Sequence, residues 1–194
     1  MNKKITSLIE QSISTKQKIL KDQKIIDQIQ SIVEKITSSL SNDGRLYLAG
    51  NGGSAADSQH IAAEFVCRLY DDRQAFPAIA LTTDTSTLTA IGNDYGFNAL
   101  FERQLQAHLR ENDIFIAIST SGNSANIIQA IEYCKLRNIT TIGFSGESGG
   151  KMQDLCDICL KVPATDTARI QESHILFGHI ICALVEDKML EKNI

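Results

Sequence analysis

Apolar residues recur at helical spacing from the start of the chain: Ile5, Leu8, Ile9 and Ile13, then Ile25, Ile26, Ile29, Ile32, Val33, Ile36 and Leu40. No glycine or proline interrupts the first 40 residues. The pattern predicts two helices with a break near Lys21-Asp22. Their apolar stripes exceed what one edge of a small domain would hide, which predicts a helical contact with another subunit.

From residue 45 the rhythm changes. Five short apolar runs each lead into a polar or glycine-containing loop. Residues 45–49 run into Gly50-Asn51-Gly52-Gly53, and 77–81 into Thr82-Thr83-Asp84-Thr85. Residues 114–118 run into Ser119-Thr120-Ser121-Gly122-Asn123-Ser124, 139–144 into Ser145-Gly146, and 158–162 into Pro163. Helical patterns lie between them, at 54–69, 87–109, 125–137, a short one after Gly150, and a long one over 166–192. Apolar strands alternating with helices imply a parallel sheet covered on both faces. The expected fold is α/β: a three-layer flavodoxin-like sandwich with a five-stranded parallel sheet plus N-terminal helices. One domain spans 1–194, with 1–42 as oligomerisation helices. Ligands in such sheets bind at the carboxyl ends of the strands, where all the polar loops named above gather.

Composition narrows the function classes. At 194 residues and 43% hydrophobic content the chain can bury one core. Its 19 basic and 23 acidic residues interleave to a net charge of −4, with no basic stripe of the kind nucleic acid requires. Lys3, Lys4, Lys16, Lys18, Lys21 and Lys24, with Glu10 and Asp22 among them, read as a solvated helix face. No apolar run approaches the roughly 20 residues of a membrane span. No apolar signal core follows the first residues. The five cysteines are an odd number, which points to free thiols and a cytoplasmic location. Cys156 and Cys159 have metal-site spacing without a second pair, and they read as small buried hydrophobes.

Candidate chemistry concentrates in three places. His60 and Glu64 follow the Gly-rich turn and share one helix face, about 6 Å apart along the axis. They stand just above a helix start suited to an anion, although the same spacing also occurs on ordinary solvated faces. The loop from Ser119 to Ser124 carries four hydroxyls after a buried strand and opens a helix, which suits a phosphate. Gln171, Glu172, His174 and His179 open the last helix. Gln171 and His179 are about 12 Å apart along a straight helix and roughly 80° around it; spacing alone also allows His174. Gly146-Glu147-Ser148-Gly149-Gly150-Lys151 falls short of a nucleotide loop, with Ser145 for the first glycine and Met152 after the lysine, and reads as a flexible loop.

The string from Gly50 to Phe65 (GNGGSAADSQHIAAEF) closely resembles the opening motif of bacterial phosphoheptose isomerases, which are sugar isomerase (SIS) domain proteins. Asn93-Asp94-Tyr95-Gly96-Phe97, the Ser119–Ser124 loop and Arg169-Ile170-Gln171-Glu172-Ser173-His174 resemble later blocks of that family, in the same order. The resemblance implies isomerisation of sedoheptulose 7-phosphate for heptose used in lipopolysaccharide or capsule. It implies Ser119, Thr120, Ser121 and Ser124 as phosphate ligands, and Asn51, Gly52, Gly53, Asn93, Asp94 and Gln171 as sugar contacts. Glu64 and His179 become the acid/base pair, and His60, Glu64, Gln171 and His179 the ligands of one zinc ion per subunit. A homotetramer with active sites between subunits follows too. Two other classes share the fold: a relative that binds the replication initiator DnaA, and regulatory domains that sense a sugar phosphate. Neither needs a Glu/His pair facing the phosphate loop.

Overall fold

The computed structural model describes residues 1–191. Helices α1 (Asn2–Lys21) and α2 (Gln23–Ser41) break at Asp22, whose carboxylate accepts from the backbone N–H of Lys24 (3.0 Å) and Ile25 (3.4 Å) and so caps α2. The strands are β1 (Leu46–Gly50), β2 (Ala78–Ala80), β3 (Ile114–Ile118), β4 (Thr140–Ser145) and β5 (Ile158–Lys161). All pair in parallel in the order β2-β1-β3-β4-β5. The helices between them are α3 (Gly53–Val66), α4 (Thr85–Asp94), α5 (Leu100–His108), α6 (Ala125–Leu136) and α7 (Met152–Leu155), with α8 (Thr167–Glu191) last. This is the expected flavodoxin-like sandwich.

Alternation along each strand divides the core in two. Leu46, Leu48, Ile114, Ile116, Ile118, Ile142 and Phe144 face Ile61 and Phe65 of α3, Phe177, Ile181 and Val185 of α8, and the isoleucines of α2. Tyr47, Ala49, Phe115 and Ala117 face Ile91, Leu100, Phe101 and Leu105 of α4 and α5, and Ile127 and Ile131 of α6. Each fully buried side chain of this size contributes about 1.5–3 kcal/mol.

The single helix expected over 87–109 is two helices. Asp84 starts α4 early by accepting from the Thr87 N–H at 3.1 Å. Gly96, at φ 85°, then turns the chain into one 3₁₀ turn (Phe97–Ala99) before α5. The helix expected at 54–69 ends at Val66. The last helix begins at Thr167; residue 192 of its expected span lies outside the described residues. The five cysteines are free, and burial pushes the Cys134 thiol up to about 12 and raises Cys156 and Cys159 as well. That agrees with their reading as small hydrophobes. Among the described residues no helix is long and apolar enough to cross a membrane.

Candidate active site

β1 and β3 are adjacent, and their connections leave toward opposite faces of the sheet. The crevice above their carboxyl ends is therefore the switch point where ligands bind. The Gly50–Gly53 turn follows β1 and the hydroxyl loop follows β3. Asn51 and Asn126, in the first turn of α6, join them: each side-chain amide donates to the other's oxygen at 2.9 Å. Asn126 is a residue of this crevice that sequence reasoning missed. Its only signal was an amide two residues past a serine-rich loop.

In the hydroxyl loop, Ser119 Oγ lies 2.9 Å from Ser124 Oγ and 3.4 Å from Ser121 Oγ. Ser124 is the N-cap of α6 but makes no side-chain capping bond, so its hydroxyl remains available to a ligand. The 146–151 loop does not hang free behind it. The Gly146 N–H donates to the Thr120 carbonyl (3.0 Å), the Lys151 N–H to Asn123 Oδ1 (3.0 Å) and the Met152 N–H to the Gly122 carbonyl (3.1 Å). These backbone donors thus buttress the hydroxyl loop.

α3 presents His60 and Glu64 toward α8, which presents His179. His60 Nε2 lies 2.9 Å from His179 Nε2 and 3.2 Å from Glu64 Oε1. One ring nitrogen carries at most one proton, so three lone-pair-bearing atoms compete for very few hydrogens. The three donor atoms lie within 4.8 Å of one another. Zn–N bonds of about 2.0–2.1 Å in tetrahedral geometry separate two ligand atoms by roughly 3.3 Å, close to the two separations from His60 Nε2, 2.9 and 3.2 Å. Two imidazoles and a carboxylate therefore fit a zinc ion. Gln171 lies across the start of α3, where a methyl group on Gly53 would overlap its side-chain amide. A side chain at 53 would push the Gln171 amide out of this position.

Asp57, one turn before His60, is a further carboxylate at this helix start. Burial raises its pKa, His60 opposes the rise, and Oδ2 has no hydrogen-bond partner among the described residues. His174, by contrast, points into the core. Its Nε2 lies 3.2 Å from the Ser145 carbonyl, and burial lowers its pKa to about 4. Asn93 and Asp94 are exposed at the end of α4; Asn93 Nδ2 donates to Asp94 Oδ1 at 2.7 Å, and no hydrogen bond among the described residues joins either to the rest of the set.

The hydroxyl loop follows β3 and the titratable cluster stands on α3, after β1, and on α8, which makes this a flavodoxin-like α/β domain with polar and titratable groups gathered around its switch point. The profile of the SIS domain family matches residues 8–146. Across its full length the chain is 58% identical to a phosphoheptose isomerase of Aneurinibacillus thermoaerophilus, covering 98% of that protein. It is 55% identical to phosphoheptose isomerase 2 of Campylobacter jejuni, again over its full length and 96% of the relative. The solved phosphoheptose isomerase of Neisseria gonorrhoeae superposes with a TM-score of 0.90 at 41% identity, over 96% of this chain and 98% of that one. The chain belongs to the phosphoheptose isomerase family of SIS domain proteins.

Proposed function

We propose that this chain converts sedoheptulose 7-phosphate to D-glycero-D-manno-heptose 7-phosphate through a cis-enediol. The observation that carries this reading is the meeting of His60, Glu64 and His179 from α3 and α8, beside a hydroxyl cradle tied to the same turn by Asn51 and Asn126. Ser119, Thr120, Ser121 and Ser124 hold the phosphate, with the N-terminus of α6 behind them. Asn51, Gly52, Gly53 and Gln171 orient the sugar. Glu64 carries the proton between C1 and C2, and His179 exchanges protons with the oxygens on those carbons; such steps contribute about 10²–10⁴-fold each. Glu64 Oε1 faces the His60 ring, which leaves Oε2 for the proton. His60, Glu64, Gln171 and His179 would hold zinc, which when bound polarises the carbonyl and stabilises enediolate charge.

Assembly belongs to the same reading. An apolar groove of about 780 Å³ runs between α1, α2 and α8, lined by Ile19, Leu20, Ile26, Ile29, Val33, Leu176, Ile180 and Leu184. Ile5, Leu8, Ile9 and Ile13, earlier on α1, are exposed. Apolar surface of this extent supports a homotetramer built through residues 1–42. Asn93 and Asp94, exposed at the end of α4, are further contacts for the sugar by the same family resemblance. Free thiols support a cytoplasmic setting and the family a role in lipopolysaccharide or capsule heptose synthesis. The test is turnover of sedoheptulose 7-phosphate by the purified protein, with metal content and light-scattering mass measured on the same sample. A monomer with full activity would sink the assembly part, and an inert, zinc-loaded tetramer the isomerase part.

A further inference from the structure

Arg73 and Glu186 form a buried ion pair that no step of the proposed reaction uses. Nε lies 2.6 Å from Oε2, and the side chains are only 2% and 1% exposed. The Glu186 carboxylate also accepts from the backbone N–H of Leu69 (3.2 Å), Tyr70 (2.9 Å) and Asp71 (2.8 Å). Burial pushes its pKa up, but these donors more than offset that and hold it below the ordinary carboxylate range. The two Nη atoms of Arg73 reach the end of α3: Nη2 donates to the Glu64 carbonyl at 2.9 Å and Nη1 to the Phe65 carbonyl at 3.0 Å. The guanidinium lies 3.9 Å above the Phe76 ring, which fixes its plane.

The placement is specific. The last carbonyls of a helix lack intrahelical partners and carry negative partial charge, and a guanidinium there satisfies both. One of the two carbonyls is that of Glu64 itself. Glu186 stands seven residues beyond His179 on α8, two turns along and about 20° around, so both face α3. The pair therefore ties the backbone of one reactive residue to the helix of the other. Buried ion pairs stabilise little better than apolar packing of the same volume. What this fork adds over apolar packing is direction.

We propose that Arg73 and Glu186 are positioning residues that set the distance and orientation of Glu64 relative to His60 and His179, a role that rests on the site assigned above. The test uses the full-length protein carrying Arg73→Met with Glu186→Gln, which removes both charges at nearly constant volume and leaves neither unpaired. Folding is checked by circular dichroism, kcat and KM are measured with sedoheptulose 7-phosphate, and zinc affinity by competition with a chromophoric chelator. Loss of an outer-shell support typically costs about 10–100-fold in metal affinity or activity. The expected result is a folded protein with kcat and zinc affinity each reduced by about that factor and KM within about threefold of the parent. A folded variant with parental kcat and zinc affinity, altered only in melting temperature, would overturn the positioning role. If the double variant does not fold, Arg73→Lys, which keeps a charge against Glu186 but cannot span both carbonyls, carries the same measurement. A parent protein inert toward this sugar would instead defeat the proposed function, and the zinc arm would still decide the positioning.

Discussion

Replacing Asn126 with alanine should both loosen the fold and disable the site. The perturbation is well bounded. Asn126 is 1% exposed, and both of its bonds to Asn51 are 2.9 Å. A neutral hydrogen bond contributes about 0.5–1.5 kcal/mol net, so two contribute about 1–3 kcal/mol. Asn51 is only half-buried, so water can replace part of what is lost and the lower half of that range is expected. For a domain of this length each kcal/mol moves the midpoint by about 2–4 °C, which predicts a fall of roughly 2–8 °C. The catalytic effect should be larger in proportion. Asn51 is the link between the Gly-rich turn and the start of α6 behind the hydroxyl loop, and a displacement near 1 Å can cost on the order of 10²-fold. Thermal melts followed by circular dichroism, with kcat/KM for sedoheptulose 7-phosphate at 25 °C, read both quantities. An Asn126→Ala protein with an unchanged melting point and unchanged kcat/KM would refute the claim that this amide pair couples the two loops.

Other expectations follow from single contacts. Glu64→Gln should fold and bind substrate but lose at least about 10²-fold in kcat, as removal of a general base requires; near-normal turnover would exclude Glu64 as base. His179→Ala should lower kcat in the same assay, whereas His174→Ala should act on stability alone. Replacing Ser119 and Ser124 together with alanine should raise KM far more than it lowers kcat, because phosphate contacts persist from ground state to transition state; an equal fall in kcat would contradict the cradle. The Ser145 carbonyl can only accept, so His174 carries its proton on Nε2, and among the described residues the buried Nδ1 has no hydrogen-bond partner. Its folded pKa of about 4 lies below the ordinary 6.5, so the unfolded chain binds the proton more readily. Stability should be complete above pH 6.5 and decline as pH falls toward 4, by up to about 3 kcal/mol from this residue. Urea titrations of His174→Gln against the parent should show that slope reduced; identical slopes would deny the buried neutral histidine.

The sheet was legible because strands buried on both faces are continuous apolar runs, and each of the five ends in a loop that cannot be strand. The hydroxyl loop was legible because four hydroxyls in six residues exceed what one helix cap needs. The choice between His174 and His179 was not. Both fall within reach of Gln171 by count, and only packing decides. Five residues apart they point about 140° from each other, one toward Ser145 in the core and one toward His60. The family blocks, rather than the spacing, pointed to His179, and the structure places that ring beside His60. Asn126 and the Arg73–Glu186 pair were invisible for a different reason: their partners are 75 and 113 positions away, and no local pattern encodes such contacts. The break after α4 was missed because a lone glycine inside a helical pattern is often tolerated, while here Gly96 takes a positive φ.

The decisive measurement follows sedoheptulose 7-phosphate by NMR with the purified protein, first stripped of metal by a chelator and then resupplied with one equivalent of zinc per chain. The geometry of His60, Glu64 and His179 predicts that an aldose 7-phosphate forms, that stripping abolishes its formation, and that zinc restores it. No conversion by the zinc-replete protein would contradict the isomerase reading, and full conversion by the stripped protein would contradict the metal's place in it.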